Sequence, residues 1–521
     1  DTDTIVRHGD HAVVISYDLP STLDCNAVYQ ASVTMQNTGD VTWTRAGGFK
    51  LGTKDDEDPF FDKTRVWLSS TDSVPPMGEH TFEMALKAPG LPGDYVTDWQ
   101  MVHEGVHWFG ETASSMVRVS CEKPVDSSTL TRKVMAGYQG WFSAQGDGAG
   151  VGWRHWCSGG SPNADNITFD MWPDMREYST EELFATSFKY RDGSNAGLYS
   201  AYTAKTVVRH VKWMKDYGID GVFVQRFLVS IKDLRFLQIR DKVLNSIRHG
   251  AEQYGRVFAN MYDISGANEK TLVQDLENDW KHLVDDEKIT GSSRYLWHKG
   301  KPVLAIWGLG FKNHPGTPAQ AAELISWFER DAPQKYRVTL MGGLPTHWRT
   351  LTGDSKEDTA WSDVYRSFDI ISPWAVGRYG TPALADDYRQ KNIEPDLKEC
   401  RRLGIDYMPV IFPGFSWFNL HGGDLNQISR QGGRFFWRQA YNAVDSGNDM
   451  IYVAMFDEVD EGTAIYKIAE NSSQVPTTGS FVTLDADGEN LPSDWYLRLT
   501  GEASKMLRGE IGLTSTIPIE P

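Results

Sequence analysis

The chain of 521 residues is longer than one hydrophobic core usually supports, so two domains of unequal size are expected. With 52 Lys and Arg against 70 Asp and Glu, its net charge of -18 leaves no concentrated basic surface and argues against nucleic acid or an anionic membrane as partner. No run of about 18 apolar residues is present to span a membrane.

The chain opens Asp1-Thr2-Asp3 without Met. A mature chain after signal-peptide removal looks like this, and so does a trimmed one. From His11 to Val119 short strands alternate with turns. Ala12–Ser16, Tyr29–Met35, His80–Met84 and Tyr95–Met101 read as strands, broken by turn residues at Asn37–Asp40 and Gly90–Asp94, the pattern of a β-sandwich. The segments Gln36-Asn37-Thr38-Gly39-Asp40-Val41-Thr42-Trp43 and Gly93-Asp94-Tyr95 with Trp99 resemble the four-tryptophan immunoglobulin-like domain. The resemblance implies a small accessory domain over residues 1–125, with Trp43, Trp67, Trp99 and Trp108 as its tryptophans, expected mainly in core packing. Cys25 and Cys121 bracket this domain, so a disulfide tying its ends is one reading and free buried thiols the other. Cys157 and Cys400 complete the cysteines, none in a C-x-x-C or Cys/His zinc spacing.

From Lys133 the pattern becomes strand, turn, amphipathic helix, repeated. Apolar β-rich runs fall at Lys133–Trp141, Gly218–Arg226, Arg256–Ile264, Lys301–Leu309, Tyr336–Leu344, Phe368–Val376, Asp406–Phe415 and Asp449–Glu458. Between them, three- and four-residue apolar spacing predicts helices at Thr203–Tyr217, Asp233–Tyr254, Glu269–Asp286, Pro318–Asp331, Ala383–Leu403 and Gln427–Ser446, with a weaker one at Lys356–Ser367 and a last at Ser493–Leu507. Eight repeats imply an α/β fold, a (βα)₈ TIM barrel over residues 130–515, preceded by the all-β sandwich. No Gly-x-Gly-x-x-Gly follows the first strand, which argues against a dinucleotide fold. The long stretch from Ser143 to Ala201 has no helical pattern and is expected to form a wall or lid. Asn166-Ile167-Thr168 and Asn471-Ser472-Ser473 are sequons, relevant only in a eukaryotic secretory pathway.

Barrel enzymes carry their chemistry at the C-terminal ends of the strands. Those ends supply Tyr138, Gln139, Trp141, Gln225, Arg226, Tyr262, Asp263, Trp307, His347, Trp374, Arg378, Tyr379, Trp417, Asp457, Glu458, Asp460 and Glu461. The set is aromatic, amide and acidic, with no nucleophile elbow and no His-rich metal cluster. Aromatics make up 12% of the chain, with 19 Trp; their flat faces suit stacking on sugar rings, and equally the cores of β-rich proteins. The eighth strand runs into four acids within five residues, and glycosidic cleavage needs two carboxyls, one to protonate the leaving oxygen and one to act as nucleophile or base. A solvated acidic turn is the bland alternative.

Phe456-Asp457-Glu458-Val459-Asp460-Glu461-Gly462-Thr463 resembles the Phe-Asn-Glu-Trp-His-Glu-Gly-Thr signature of glycoside hydrolase family 99. Lys299-Gly300-Lys301-Pro302-Val303, Pro409–Phe415 and Gly432-Gly433-Arg434-Phe435-Phe436 are similar in placement, and the likeness covers most of Lys133 to Ile468. It implies hydrolysis of α-linked glycosidic bonds with retention and without metal or other cofactor. Glu458 and Glu461 would be the catalytic pair, Glu458 as base toward the sugar 2-hydroxyl and Glu461 as general acid and then base toward water. Tyr138, Trp141, Gln225, Arg226, Tyr262, Asp263, Trp307, Trp374, Arg378, Trp417, Asp457 and Asp460 are candidates for substrate binding, each with a packing role as the alternative. Asp457, Val459 and Asp460 depart from the family's Asn, Trp and His, which leaves the sugar open. His347 and His421 are weaker candidates, because the sequence pairs neither with a partner. A calcium ion on Asp457 or Asp460 is a further reading. The expected partner is a carbohydrate, the expected state a monomer, and the expected location secreted, periplasmic or cell-surface. An inert carbohydrate-binding or adhesion protein on the same scaffold is the alternative class, and a lyase is disfavoured by the acidic site.

Overall fold

The computed structural model describes residues 8–120 and 123–521, which fall into two compact units that divide after residue 123. In the first, strands Ala12–Asp18, Val28–Asn37 and Glu79–Lys87 form an antiparallel sheet. A second sheet takes its strands in the order Thr22–Asp24, His107–Ser120, Gly93–His103, Phe49–Thr53 and Arg65–Trp67. All four strands read from sequence lie within these, because alternating side chains such as Ala31, Val33 and Met35 point into one core with Leu51, Leu86, Trp99 and Met101. The tryptophans divide. Trp43 and Trp99 are buried in that core, but Trp67 is 47% exposed beneath the Lys50 ammonium and Trp108 is half-buried against the Arg65 guanidinium. The expectation of core packing fails for these two because they lie on the opposite face of the sheet, where a cation covers each ring. Cys25 is disulfide-bonded, while Cys121, its expected partner, lies outside the described residues; Cys157 and Cys400 are free thiols.

The second unit is a closed barrel of parallel strands: β1 (Lys133–Tyr138), β2 (Gly221–Phe227), β3 (Val257–Asp263), β4 (Lys301–Trp307), β5 (Thr339–Leu344), β6 (Ile370–Pro373), β7 and β8 (Met450–Val453). β7 comes in two pieces, Asp406–Tyr407 beside β6 and Val410–Ile411 beside β8, so the break at Met408-Pro409 lets one strand close the ring. The proline has no N–H to give the ladder. Helices α1 (Ala204–Asp216), α2 (Leu234–Tyr254), α3 (Leu272–Asp285), α4 (Pro318–Ser326), α5 (Ala360–Tyr365), α6 (Pro382–Tyr388, continued to Leu403), α7 (Arg434–Asp445) and α8 (Trp495–Arg508) follow the strands in turn. Their starts follow local chemistry: Asp233 caps α2 through the Arg235 N–H, and Thr317 and Gln320 cap α4 reciprocally ahead of Pro318. α7 starts seven residues later than the apolar spacing from Gln427 predicts. Gly432 and Gly433 hold φ of 63° and 92°, and Ile428 bridges Phe415 instead.

The segment from Ser143 to Ala201 contains one antiparallel hairpin, Phe184–Lys189 with Asn195–Leu198. It stands beside the loop after β8: the Asp170 and Met171 N–H groups donate to the Val459 carbonyl, and the Asp170 carboxylate accepts from the Phe418 and Asn419 N–H groups. The expectation of a wall or lid over the site is corrected: the segment buttresses that loop from outside, and none of its residues lines either cavity at the barrel mouth. Within the segment the Asn166 side-chain nitrogen, where a glycan would attach, donates to the Gly159 and Ser161 carbonyls at 2.6 and 3.1 Å, so this sequon is engaged internally.

Candidate active site

Two adjoining cavities open at the C-terminal mouth of the barrel. The inner one, of about 230 Å³, is lined by Gln139, Trp141, Gln225, Phe227, Asp263, Ser265, Trp307, Trp374, Met455, Glu458 and Glu461. The outer one, of about 840 Å³, lies over the loops that follow β4 to β7 and shares Trp307, Trp374 and Glu461 with the inner; Arg378 and Trp417 line it.

The two glutamates reach this mouth because β8 runs into a tight loop. Thr463 and Ala464 N–H groups both donate to the Glu458 carbonyl, and Gly462 turns with φ of 64° where a side chain would meet Ser416 at 2.7 Å. Glu458 is 4% exposed, and its carboxylate accepts from Gln139 Nε2 on one oxygen and from Thr463 Oγ1 at 2.7 Å on the other. Glu461 lies at the junction of the two cavities and has no hydrogen-bond partner for its carboxyl among the described residues. Burial lifts both carboxyls, Glu461 to about 7 and Glu458 well above its usual range, and neighbouring acids add to the rise at each. The bonds from Gln139 and Thr463 favour the ionised form, and they act on Glu458 alone. At Glu458 hydrogen bonding thus opposes burial, whereas at Glu461 nothing among the described residues does.

The strand-end candidates separate by alternation along the strands. Gln225 and Asp263 face the barrel axis, where Gln225 Nε2 donates to Tyr452 Oη at 3.0 Å. Their neighbours Arg226 and Tyr262 point outward between strands and helices. There Arg226 pairs with Asp279 at 2.6 Å and Asp241 at 2.9 Å, and Tyr262 Oη donates to Asp279 at 2.7 Å. Tyr138 is likewise turned away from the cavities, its hydroxyl bonded to His210 Nδ1 at 2.9 Å, while Gln139 one residue on lines the inner cavity. Arg226, Tyr262 and Tyr138 are thus corrected from substrate contacts to interior supports, since successive strand residues face opposite sides of a sheet.

Asp457 is also corrected. It is fully buried and accepts the Gln139 and Gly140 N–H groups at 2.7 and 2.9 Å, while Arg240 holds the carbonyls of the same two residues at 3.2 Å. It shapes the turn after β1. Asp460 is buried behind the cavity, 3.4 Å from His155 Nδ1, and His155 stacks flat on Trp141 with ring centroids 4.0 Å apart. Trp141, Trp307, Trp374 and Trp417 all line the cavities, with Trp307 and Trp374 edge to face at 5.5 Å. Arg378 pairs with Asp354 at 2.7 Å, and the same carboxylate binds His347 at 2.9 Å, a partner the sequence did not reveal. His421 packs on the Trp417 ring, and Tyr379 is buried with its hydroxyl on Gln439. Phe227, Ser265 and His314 join the walls unforeseen. Phe227 and Ser265 stand two residues beyond Gln225 and Asp263, so alternation would have found them; His314 lies in a loop with no periodic signal. Asp241, His282 and Glu287, whose geometry is compatible with a metal ion, lie on α2, α3 and the turn beyond, and line neither cavity.

Comparison with known proteins agrees with both architectures. Residues 19–119 match the family described as an Ig-like domain from next to BRCA1 gene. The chain is similar in structure to the GH99 endo-alpha-mannosidase from Bacteroides thetaiotaomicron, at 15% identity and a TM-score of 0.52, over 73% of this chain and 99% of that one. A structure of the Bacteroides enzyme in complex with bis-tris propane gives 15% identity, the same coverage and a TM-score of 0.51. No curated protein matches by sequence. The class defined is therefore a GH99-like barrel behind an immunoglobulin-like domain, a statement about fold.

Proposed function

We propose that the protein is a glycoside hydrolase that cleaves α-linked glycosidic bonds of a poly- or oligosaccharide, mannan-like or related, with retention of configuration. The observation that carries this reading is the pair Glu458 and Glu461 on one loop, both lining the inner cavity, one held by hydrogen bonds and the other unheld at the mouth of the outer cavity. Glycosidic cleavage asks for that asymmetry: one carboxyl ionised and fixed, and one protonated beside the leaving oxygen. Glu458 acts as the base toward the sugar 2-hydroxyl, which displaces the leaving group. Glu461 gives its proton to the departing oxygen; it then takes a proton from water as that water displaces the 2-oxygen from the anomeric carbon, and Glu458 returns its proton to the 2-oxygen. The aromatic walls Trp141, Trp307, Trp374 and Trp417 supply stacking faces for sugar rings. The disulfide at Cys25 supports a secreted, periplasmic or cell-surface location, where such bonds persist.

The test is product analysis of wild type, Glu458→Gln and Glu461→Gln against α-mannans and α-glucans, with arabinans and xylans beside them, following anomeric configuration by NMR. Each substitution is expected to lower the rate at least 100-fold, in the range typical of a lost acid or base, with an α-product first from the wild type. Turnover that survives both substitutions removes the pair from the reaction, and binding without turnover by the wild type returns the protein to the carbohydrate-binding class.

A further inference from the structure

The inner cavity has a hydrogen-bonding character that cleavage alone does not require. Of its eleven lining residues, Asp263, Glu458 and Glu461 are acids and none is basic. Gln139, 6% exposed, donates to Glu458 and leaves its own Oε1 with no partner. Asp263, which cleavage does not use, is held by the Ser265 N–H at 2.7 Å. Against these acceptors the walls offer two unpartnered donors, Trp141 Nε1 and Trp307 Nε1. A buried, acceptor-rich, anionic chamber suits a ligand that brings donors and positive charge, and an ammonium group is donor only. A carboxylate or sulfate is acceptor only, and it meets three acids and no basic side chain among the lining residues. At about 230 Å³ the chamber has room for a single sugar ring.

We propose that the inner cavity is an amino-sugar-selective subsite, in which Asp263 together with Gln139 Oε1 receives the protonated amine of one glycosyl unit, and which rejects uronate and sulfated sugars. The proposal rests on the glycosidase reading for its view of the cavity as a sugar subsite. The groups facing the amine are Asp263, Glu458 and Glu461, with the amides of Gln139 and Gln225 and the Ser265 hydroxyl. Burial lifts Asp263 to about 6 and Glu461 to about 7, so the chamber becomes more anionic, and holds a cation more tightly, as pH rises across that interval.

The test is competition NMR on the full chain with the neutral, amino and uronic acid forms of the same sugar, in gluco and manno configuration, at pH 5 and 7. The expected result is an amine bound at least tenfold tighter than the neutral sugar at pH 7, a smaller preference at pH 5, and no uronate binding. Asp263→Asn, checked for folding by its melting temperature, is expected to reduce the preference at least fivefold while neutral-sugar binding persists. Equal affinities, tighter uronate binding, no detectable amine binding, or a preference unchanged in Asp263→Asn overturns the proposal. Binding is read without turnover, so an amine-selective protein that cleaves no glycoside defeats the hydrolase reading and leaves this one standing.

Discussion

Glu461 joins two properties that pull against each other, a buried position and an ionisable carboxyl. Its folded pKa of about 7 lies above the ordinary glutamate value, so the folded state keeps a proton that the unfolded chain releases between roughly pH 4.5 and 7. The stability that goes with the protonated form is complete below the unfolded value and is lost as pH rises through about 7. Glu461→Gln removes the charge and keeps the shape. It is expected to melt with the wild type at pH 5 and above it at pH 8, by on the order of 1 to 3 kcal/mol of stability, measured by denaturation at the two pH values. Equal melting at pH 8 means that the carboxyl ionises freely. Asp457 shows the opposite use of a buried acid: with both oxygens on backbone N–H groups it belongs to the scaffold, although it adjoins Glu458 in sequence.

At the scale of the element, each barrel strand presents one residue to the axis and the next to the helices, and the strand ends test this division directly. Tyr262 and Trp307 were both candidates at strand ends, yet one faces α3 and the other the cavities. Tyr262→Phe removes a buried hydrogen bond to Asp279 and is expected to cost about 1 kcal/mol of stability with kcat/KM changed less than twofold. Trp307→Phe keeps an aromatic wall and loses the unpartnered Nε1 donor; it is expected to leave the melting temperature within a few degrees and to raise KM by about fivefold. Thermal melts and steady-state kinetics on the two variants separate the faces. A large kinetic effect in Tyr262→Phe contradicts the outward assignment. The break in β7 and the late start of α7 belong to the same scale: Pro409 lacks a donor, and Gly432-Gly433 takes a left-handed path that no helix follows.

At the scale of the whole molecule, the chain carries two hydrophobic cores, one in each compact unit. Calorimetry is expected to resolve two unfolding transitions. Reductant is expected to lower only the smaller, by about 2 to 5 kcal/mol, because the Cys25 disulfide lies in the first unit while the free thiols Cys157 and Cys400 lie in the second. A single transition that shifts as a whole contradicts the division. The segment of residues 143–201 also belongs to this scale, since its His155 braces Trp141 of the inner cavity without lining that cavity itself.

The sequence by itself determined the periodicities, and with them the sandwich, the eight strand and helix repeats, and the acidic loop after β8, because alternation and three-to-four spacing are local properties of a chain that must bury one face. It also brought Trp141, Gln225, Asp263, Trp307, Trp374, Glu458 and Glu461 to the barrel mouth, since strand ends converge there whatever the loops do. Only the tertiary structure decided which of two adjacent strand residues faces the axis, that Arg226 is spent on Asp279, that Asp457 is tied to the turn after β1, and that Trp67 and Trp108 lie on the outer face of the sandwich. Those outcomes depend on partners distant in sequence, Asp457 and Gln139 being 318 residues apart, and no local pattern in a single chain records them.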